Sequence, residues 1–119
     1  MNNTIRIETD PRRSRAVVYN GMVFVGGMTA DDRSLDITGQ TKQTLEKSES
    51  YLAKAGTDKS RLLTAQIWIK NLERDFEAMN AVWNGWTTPN AAPTRATAQC
   101  DMGAADILVE IIVTAAVGD

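Results

Sequence analysis

Two charged side chains near the end of the chain offer the clearest opportunity for chemistry. Glu110 interrupts the apolar, β-branched run Ile107–Ala116, and Arg95 follows Pro93 at the start of the preceding run, Arg95–Cys100. An ionised carboxylate inside an apolar strand is costly unless a partner pairs with it or the site opens to water. An arginine nearby could bind a carboxylate through two parallel hydrogen bonds. The two residues are therefore candidate site residues, although a structural ion pair or an exposed edge position would also account for Glu110.

The residues between these two runs predict how the two side chains are arranged. Met102–Asp106 is a small-residue turn, so the runs predict a β-hairpin with a longer loop. With the turn centred on Ala104, Arg95 lies nine residues before it and Glu110 six after it, an offset of about 10 Å along a strand. A direct cross-strand pair is not expected at this offset. The two groups would instead face a shared ligand or meet across a subunit boundary.

The composition limits the chemistry that the chain can perform. Its 119 residues include no histidine and a single cysteine, Cys100. Without histidine, neither a Ser-His-Asp nor a Cys-His nucleophile system can form within the chain, and zinc loses its commonest ligand. There is also no glycine-rich loop of the phosphate-binding or dinucleotide-binding type. The sequence therefore predicts no metal site, and acid–base chemistry would fall to carboxylate, tyrosine, lysine or backbone groups.

The charge balance and the N-terminus bear on partners and location. The 13 basic and 15 acidic residues are mixed along the chain and give a net charge of −2 and a pI near 5.1. This balance gives no electrostatic case for binding nucleic acid or a membrane surface. The N-terminal residues lack the apolar core of a signal peptide, and no stretch approaches the roughly 20 apolar residues of a membrane span. We expect one cytoplasmic domain over residues 1–119.

Hydrophobic periodicity predicts elements in the order β–β–β–α–β–α–β–β. Asn20-Gly21 between two β-rich runs predicts a tight hairpin. The first helix is expected to follow Asp36 and end at Gly56, and Leu62–Ile69 is expected to be a central strand. Helices that follow runs of strands indicate an α+β fold, with one mixed β-sheet and two helices packed on one face. The other face has no cover within the chain, which indicates a homo-oligomer.

Two further positions depart from their surroundings. Asn80 is the polar member of an apolar helical stripe that includes Met79 and Trp83. A buried asparagine must find hydrogen-bond partners, so we expect Asn80 to pin a loop or a neighbouring backbone segment. Gly26 and Gly27 end a strand, where paired glycines indicate either close approach of the backbone to another group or a bulge.

Four segments, taken together, match one known family. They are NGMVFVGG at 20–27, GQTKQTLEKSESYLAKAG at 39–56, DFEAMNAVWNGW at 75–86, and PTRAT at 93–97, with Glu110 in VEI following Arg95 by fifteen residues. Through this ensemble the chain resembles the RidA/YjgF family of enamine/imine deaminases over about residues 15–116. The resemblance implies a small α+β protein of the chorismate-mutase-like type. It also implies assembly as a homotrimer, with ligand clefts between neighbouring subunits.

The resemblance further implies a reaction and a set of roles. Members of the family hydrolyse reactive enamines and imines, such as 2-aminoacrylate, to 2-keto acids and ammonia, and they need no cofactor. Arg95 sits where the family's arginine binds the substrate carboxylate. Glu110 sits where the family's glutamate positions a water molecule at the imine carbon. Gly27 and Asn80 match the glycine that contacts the ligand through its backbone and the asparagine near the cleft.

The chain departs from the archetype of the family at three places. The archetype's Ser-Gly-Gln segment is Gly26–Met28 here, its cysteine two residues past the arginine is Thr97, and its Gly-Pro-Tyr segment is replaced by Arg12–Ala16. Thr97 lies next to the candidate guanidinium and would either contact the substrate or only fill strand space. These changes indicate a divergent branch. Two functions follow: an imine/enamine deaminase, or a non-catalytic trimer that binds a small carboxylate or acts as a chaperone-like surface.

Overall fold

Six strands and two helices occur in the predicted order in a computed structural model, which describes residues 3–118. The strands are β1 (Ile5–Thr9), β2 (Ser14–Tyr19), β3 (Met22–Met28), β4 (Leu62–Ile69), β5 (Thr94–Gln99) and β6 (Val109–Ala116). The helices are α1 (Ile37–Lys54) and α2 (Leu72–Trp86), and a short 3-10 turn at Lys59–Arg61 precedes β4. The predicted α+β arrangement, with one mixed sheet and two helices, is confirmed.

The strands form a single sheet in the order β1-β2-β3-β6-β4-β5. Every neighbouring pair is antiparallel except β4 and β5, which are parallel. The predicted hairpin joins β2 to β3, and its two turn residues, Asn20 and Gly21, have positive φ angles of 52° and 78°. Two successive positive φ angles are what a type I′ turn requires, and its twist matches that of the flanking strands.

The predicted hairpin of β5 and β6 was wrong, because β4 lies between these strands. β4 pairs with β5 in parallel and with β6 in an antiparallel ladder. The connection from Cys100 to Leu108 crosses the end of β4 instead of forming a tight turn. β4 and β6 are the two longest strands, and each buries four apolar side chains, so pairing them in the interior of the sheet buries a large apolar area. β5, which consists of small and polar residues around Arg95, is left at the edge.

Both helices pack on one face of this sheet, and α1 begins after Asp36 and ends before Gly56 as the sequence indicated. The Asp36 side chain accepts a hydrogen bond from the Gly39 N–H at the start of α1, and Gly56 follows its end with a φ of +85°. Asn71 caps α2 by accepting from the Arg74 N–H. These caps satisfy backbone groups that the first helical turn leaves unpaired. Within residues 3–118, neither helix has the length and apolar character needed to cross a membrane.

The two faces of the sheet differ in how well they are covered. Alternate residues of the central strands point toward the helices and are buried: Ala65, Ile67 and Ile69 on β4, and Val109, Ile111, Val113 and Ala115 on β6. On the opposite, open face, Tyr19, Phe24 and Trp68 keep 50%, 42% and 37% of their surface exposed. Exposed aromatic side chains grouped on one face are typical of an interaction surface.

Candidate functional site

Arg95 and Glu110 lie on opposite faces of the sheet. Arg95 is level with Ala65 of β4, whose side chain points toward the helices, whereas Glu110 is level with Trp68, whose side chain lies on the open face. Side chains alternate along a strand, so positions three residues apart on β4 face opposite ways. Within one chain the two groups therefore form two separate half-sites.

The Arg95 half-site consists of Arg95, Asn80, Thr97 and Trp83, between β5 and α2. The Nη1 atom of Arg95 donates a hydrogen bond of 2.8 Å to Oδ1 of Asn80, and the guanidinium carbon lies 5.6 Å from the centre of the Trp83 ring. Asn80 and Trp83 are three residues apart on one face of α2, so both reach the same guanidinium. The expectation that Asn80 would pin a loop or a backbone segment was wrong, because its partner is the Arg95 side chain.

These contacts fix the position of the guanidinium but leave most of its hydrogen-bonding capacity unused. Arg95 makes no other hydrogen bond to residues 3–118, so most of its five N–H donors remain available for a ligand. Partial burial lowers the pKa of Arg95, since it removes water from around the charged form. An arginine still keeps its charge at neutral pH. The group is thus a fixed cation suited to binding a carboxylate.

Thr97 lies on the same face of β5 as Arg95. It is level with Ile67, and its hydroxyl oxygen is buried without a hydrogen-bond partner in the described part of the chain. A buried hydroxyl that lacks a partner costs about 1–3 kcal/mol. A ligand oxygen bound to the neighbouring guanidinium would provide that partner.

A surface cavity of about 520 Å³ lies along the same flank of β5. Leu72 and Phe76 of α2 and Gln99 of β5 are among the residues that line it. Gln99 is level with Ile69 and therefore on the same face as Arg95 and Thr97. Its Oε1 atom accepts a hydrogen bond of 2.9 Å from the Leu72 N–H, which closes this end of the cleft between α2 and β5.

The second half-site, on the open face, consists of Glu110, Gly27 and Trp68. A side chain at Gly27 would place its Cβ atom 2.1 Å from Oε2 of Glu110, so the carboxylate occupies the space above this glycine. The register of β3 against β6 also shifts between Val25 and Met28, which is a bulge at the glycine pair. Both interpretations of the paired glycines, a bulge and a close approach, therefore hold.

The carboxylate of Glu110 is unpaired. Among the residues described, it forms no hydrogen bond and no ion pair. Glu110 is partly exposed, and Trp68 is its direct neighbour across the β4–β6 ladder. A free carboxylate at a partly dry surface can accept a proton from water and return it.

Sequence analysis did not identify the two tryptophans that border these half-sites. The place of Trp83 on the apolar helical stripe predicts core packing, and Trp83 does pack in the core, but its ring also contacts Arg95. Trp68 could be placed on one face of β4 by alternation, but its neighbour across the ladder could not be known. Only the pairing of β4 with β6 identifies Glu110 as that neighbour, and the sequence did not predict this pairing.

Comparison with known proteins agrees with this fold over nearly the whole chain. The family model described as Endoribonuclease L-PSP matches residues 5–117. A RutC family protein from Haemophilus ducreyi is 39% identical over 94% of this chain and 95% of its own length. An uncharacterized protein from Pseudomonas aeruginosa superposes with a TM-score of 0.94 and 34% identity, covering 98% of this chain and 100% of that one. A YjgF family protein from Neisseria meningitidis also superposes with a TM-score of 0.94, at 32% identity over 98% of this chain and 97% of that one. These matches extend across both half-sites, and the chain therefore belongs to the RidA/YjgF family.

Proposed function

We propose that this protein hydrolyses reactive 2-imino acids and their enamine tautomers, such as 2-aminoacrylate, to 2-keto acids and ammonia. The site combines the Arg95 half-site of one copy with the Glu110 half-site of its neighbour in a homotrimer, and no cofactor takes part. One observation carries the proposal: the two half-sites lie on opposite faces of the sheet, and each provides what the other lacks. One has a cation but no acid–base group, and the other has a free carboxylate but no cation.

Two surfaces of the chain support assembly in this manner. The open face of the sheet exposes aromatic side chains, and β5, which carries Arg95, is an edge strand with one unpaired side. When the β5 edge of one copy meets the open face of the next, Arg95 approaches Glu110 of the neighbouring copy. A contact between two different surfaces can repeat around a closed ring, which a trimer satisfies with three equivalent sites.

Substrate binding follows from the geometry around Arg95. The planar guanidinium grips both oxygens of the substrate carboxylate, while Asn80 and the Trp83 ring hold it in place. The unpaired hydroxyl of Thr97 donates a further hydrogen bond to the same carboxylate. The imine carbon, one bond away from the carboxylate, then faces the neighbouring copy's Glu110. The backbone at Gly27 closes the pocket beneath it.

The hydrolytic step uses Glu110 as the group that moves protons. The imine reacts as its N-protonated form. Glu110 takes a proton from a water molecule while the water oxygen forms a bond to the imine carbon, and the C=N electron pair moves to nitrogen, which becomes a neutral amine. Glu110 then returns its proton to the nitrogen of this carbinolamine and takes the hydroxyl proton as the carbonyl forms. The C–N bond breaks, and the ammonia that leaves takes up the proton from Glu110. An enamine enters the same sequence after protonation of its terminal carbon. One imino acid and one water thus give one keto acid and one ammonia.

Decay of an imine generated by an amino-acid oxidase, in the presence of the purified protein, tests this proposal. We expect Glu110→Gln to lower kcat by about 100-fold or more, the usual contribution of a general acid–base group. Arg95→Ala should raise KM by about 10- to 100-fold, because it removes a charged hydrogen-bonding group worth about 1.5–3 kcal/mol. The matched controls Arg13→Ala and Glu46→Gln change exposed residues outside both half-sites and outside the adjoining cavity, and they should behave as wild type.

Two outcomes would contradict the enzyme proposal. If wild-type protein and Arg95→Ala leave the imine decay equally unchanged, the chain is not a deaminase for that imine. If wild-type protein binds the 2-keto acid without hastening imine decay, the non-catalytic carboxylate-binding alternative replaces the enzyme. Calorimetry with the keto acid distinguishes these two outcomes.

The description of the family model names endoribonuclease activity, and we do not extend it to this chain. With 13 basic and 15 acidic residues, the chain lacks the positive charge that drives binding to phosphate backbones. It also contains no histidine for acid–base work on a phosphodiester. We expect a labelled single-stranded RNA to remain intact in the same preparations that hydrolyse imines.

A further inference from the structure

Trp68 is an exposed indole beside the free carboxylate of Glu110. The two residues are directly opposite in the antiparallel ladder of β4 and β6, which brings their Cβ atoms to within about 5 Å. Trp68 is 37% exposed, a large share for a large aromatic residue. Its place on the open face fits the contact between copies, and neither binding of the substrate carboxylate nor the hydrolytic step requires this ring. Its position directly opposite Glu110, within the proposed site, points to a second role.

The side chain of Glu110 leans away from Trp68. Its carboxylate lies above Gly27 of β3, and β6 lies between β3 and β4 in the sheet. The carboxylate is thus displaced toward β3, whereas Trp68 lies on β4, on the other side of β6. Two strand spacings, about 10 Å, separate the backbones of β3 and β4. This displacement leaves the Trp68 side of Glu110 available to the side chain of a bound substrate.

Apolar and polar side chains surround Trp68 and Glu110 on the open face. Ile112 follows Glu110 by two residues on β6, so alternation places it on the open face, and Gln66 of β4 is level with it. Ala98 of the edge strand is level with Trp68 on its other side and leaves room for the indole to tilt. A substrate whose imine carbon faces Glu110 would therefore direct the rest of its atoms toward Trp68 and its apolar neighbours.

We propose that Trp68 contacts the side chain of the substrate and determines which side chains are accepted. It favours 2-imino acids with a flat aromatic side chain over 2-imino acids with a small aliphatic side chain. This inference rests on the proposed function and specifies its substrate class. An aromatic ring gains dispersion and π contact when it stacks against an indole, whereas a methyl group is too small to cover that face. Trp68 acts on the side chain of the substrate and not on the reacting atoms.

Kinetics with two imines test this role. The imines are those formed by an amino-acid oxidase from phenylalanine and from alanine, and the variants are Trp68→Ala and Trp68→Phe. We expect Trp68→Ala to raise KM for the phenylalanine imine by about fivefold to tenfold, within the roughly twofold to thirteenfold to which the energies of aromatic pairs convert. The KM for the alanine imine should change less than about twofold, with kcat nearly constant for both. Trp68→Phe should keep most of the preference.

Phe24 provides the matched control. It is an exposed aromatic residue on the same face, but it is level with Thr114, four residues from Glu110 along β6. Phe24→Ala should leave the ratio of the two KM values as in the wild type. The proposal is overturned if Trp68→Ala raises both KM values by the same factor, or changes neither. It is also overturned if Phe24→Ala alters the ratio as strongly as Trp68→Ala does.

Assembly and catalysis can be separated from this specificity. Light scattering reports whether each variant keeps the wild-type mass. If Trp68→Ala does not assemble, Trp68→Phe and Trp68→Leu replace it, and only the phenylalanine variant should retain the aromatic preference. Calorimetry with phenylpyruvate and pyruvate needs no hydrolysis. If the wild-type protein hydrolyses neither imine, a wild-type preference for phenylpyruvate that Trp68→Ala loses still supports the role of Trp68, whereas equal preference in both proteins overturns it.

Discussion

Single residues determine whether the two half-sites can work, and Gly27 shows this most directly. Its missing side chain is replaced by the carboxylate of Glu110, which lies where a Cβ atom would be. The backbone of Gly27 does not have a positive φ, so any residue can adopt its conformation. A larger residue at this position is opposed only by the clash of its side chain with Glu110. The obstacle is the flexible end of Glu110, which can move aside. The fold therefore tolerates a change that the proposed chemistry does not.

Gly27→Ala should lower kcat by about 10- to 100-fold, because the new methyl group displaces the carboxylate that handles the protons. Its free energy of unfolding should fall by less than about 1 kcal/mol. Gly26→Ala is the control, since its Cβ atom would meet the Arg15 and Ser14 carbonyl oxygens at 3.4 and 3.8 Å, which are ordinary contacts. Steady-state kinetics and chemical denaturation check both values. A Gly27→Ala protein with wild-type kcat would show that the position of Glu110 does not matter.

Asn80 acts on the substrate through Arg95. Asn80→Ala should raise KM by about tenfold with a smaller change in kcat, because the guanidinium loses the charged hydrogen bond that orients it. Asn84→Ala, an exposed position on the same helix, is the matched control and should leave KM unchanged. Titration of the 2-keto acid product by calorimetry gives an independent value for the loss of binding. Equal KM values for the two variants would remove Asn80 from the site.

The loops and strands around the site are held by a few buried polar contacts between elements. Gln40 of α1 is 1% exposed, and its Nε2 atom lies 2.9–3.2 Å from the carbonyl oxygens of Arg33, Leu35 and Asp106. Its Oε1 atom accepts a hydrogen bond of 3.0 Å from the Leu108 N–H. One side chain thus ties the loop before α1 to the segment that leads into β6. That segment positions Glu110.

Gln40→Ala should lower the free energy of unfolding by about 2–4 kcal/mol, because it leaves several buried backbone groups without partners. Gln43→Ala removes one exposed hydrogen bond, from the Asp32 N–H, and should cost less than about 1 kcal/mol. Urea denaturation of both variants measures the difference. If the two variants lose the same stability, Gln40 does not hold these segments.

Edge strand β1 is held to α1 through Glu8. The carboxylate of Glu8 accepts hydrogen bonds from the Lys54 ammonium and the Tyr51 hydroxyl, and these contacts hold the pKa of Glu8 below its ordinary value. The contact therefore stabilises the fold fully above about pH 4.3, where an unfolded glutamate titrates. Its contribution disappears as the pH falls through the lower pKa of the folded protein.

We expect the difference in unfolding free energy between wild-type protein and Glu8→Gln to shrink as the pH falls from about 7 to about 3. Denaturant unfolding at a series of pH values measures it, with Glu46→Gln, an exposed position on α1, as the control. A difference that stays constant across this range would mean that the ionised form of Glu8 contributes nothing to holding β1.

The whole molecule decides whether there is a site, because in our proposal each site needs two copies of the chain. The Arg95 half-site and the Glu110 half-site are built by different faces of one sheet. Two variants that are each inactive can therefore regain activity in a mixed assembly, if they exchange subunits. This property separates a composite site from one contained in a single chain.

Mixing Arg95→Ala with Glu110→Gln in equal amounts, after unfolding and refolding together, should restore about a quarter of the wild-type activity, since random assembly pairs two intact half-sites at one interface in four. Each variant refolded alone should stay inactive. Light scattering before and after mixing confirms that both form the same assembly, which we expect to be a trimer. Activity that remains at the level of the separate variants would contradict a site shared between copies.

Local signals along the chain were sufficient to predict the elements. Asn20-Gly21 requires two positive φ angles, Asp36 caps a helix, and alternation along Leu62–Ile69 separates a buried face from an exposed one. Each of these signals depends on residues close in sequence, whose physical effect is the same in any surroundings. The α+β class followed from their order, and the candidate residues Arg95 and Glu110 stood out because charge is rare in apolar strands.

Which strands are neighbours depended on the packing of the whole chain. β4 separates β5 from β6, and the two longest strands, each with four buried apolar side chains, pair with each other in place of the local hairpin. This strand order places Arg95 beside α2 on one face of the sheet. It places Glu110 beside Gly27 and Trp68 on the other face. The sequence of β5 or of β6 does not show which strand will lie beside it, or which side chains that strand will present on the same face. The residue types of the site are thus local information, whereas its division into two half-sites is a product of the tertiary fold.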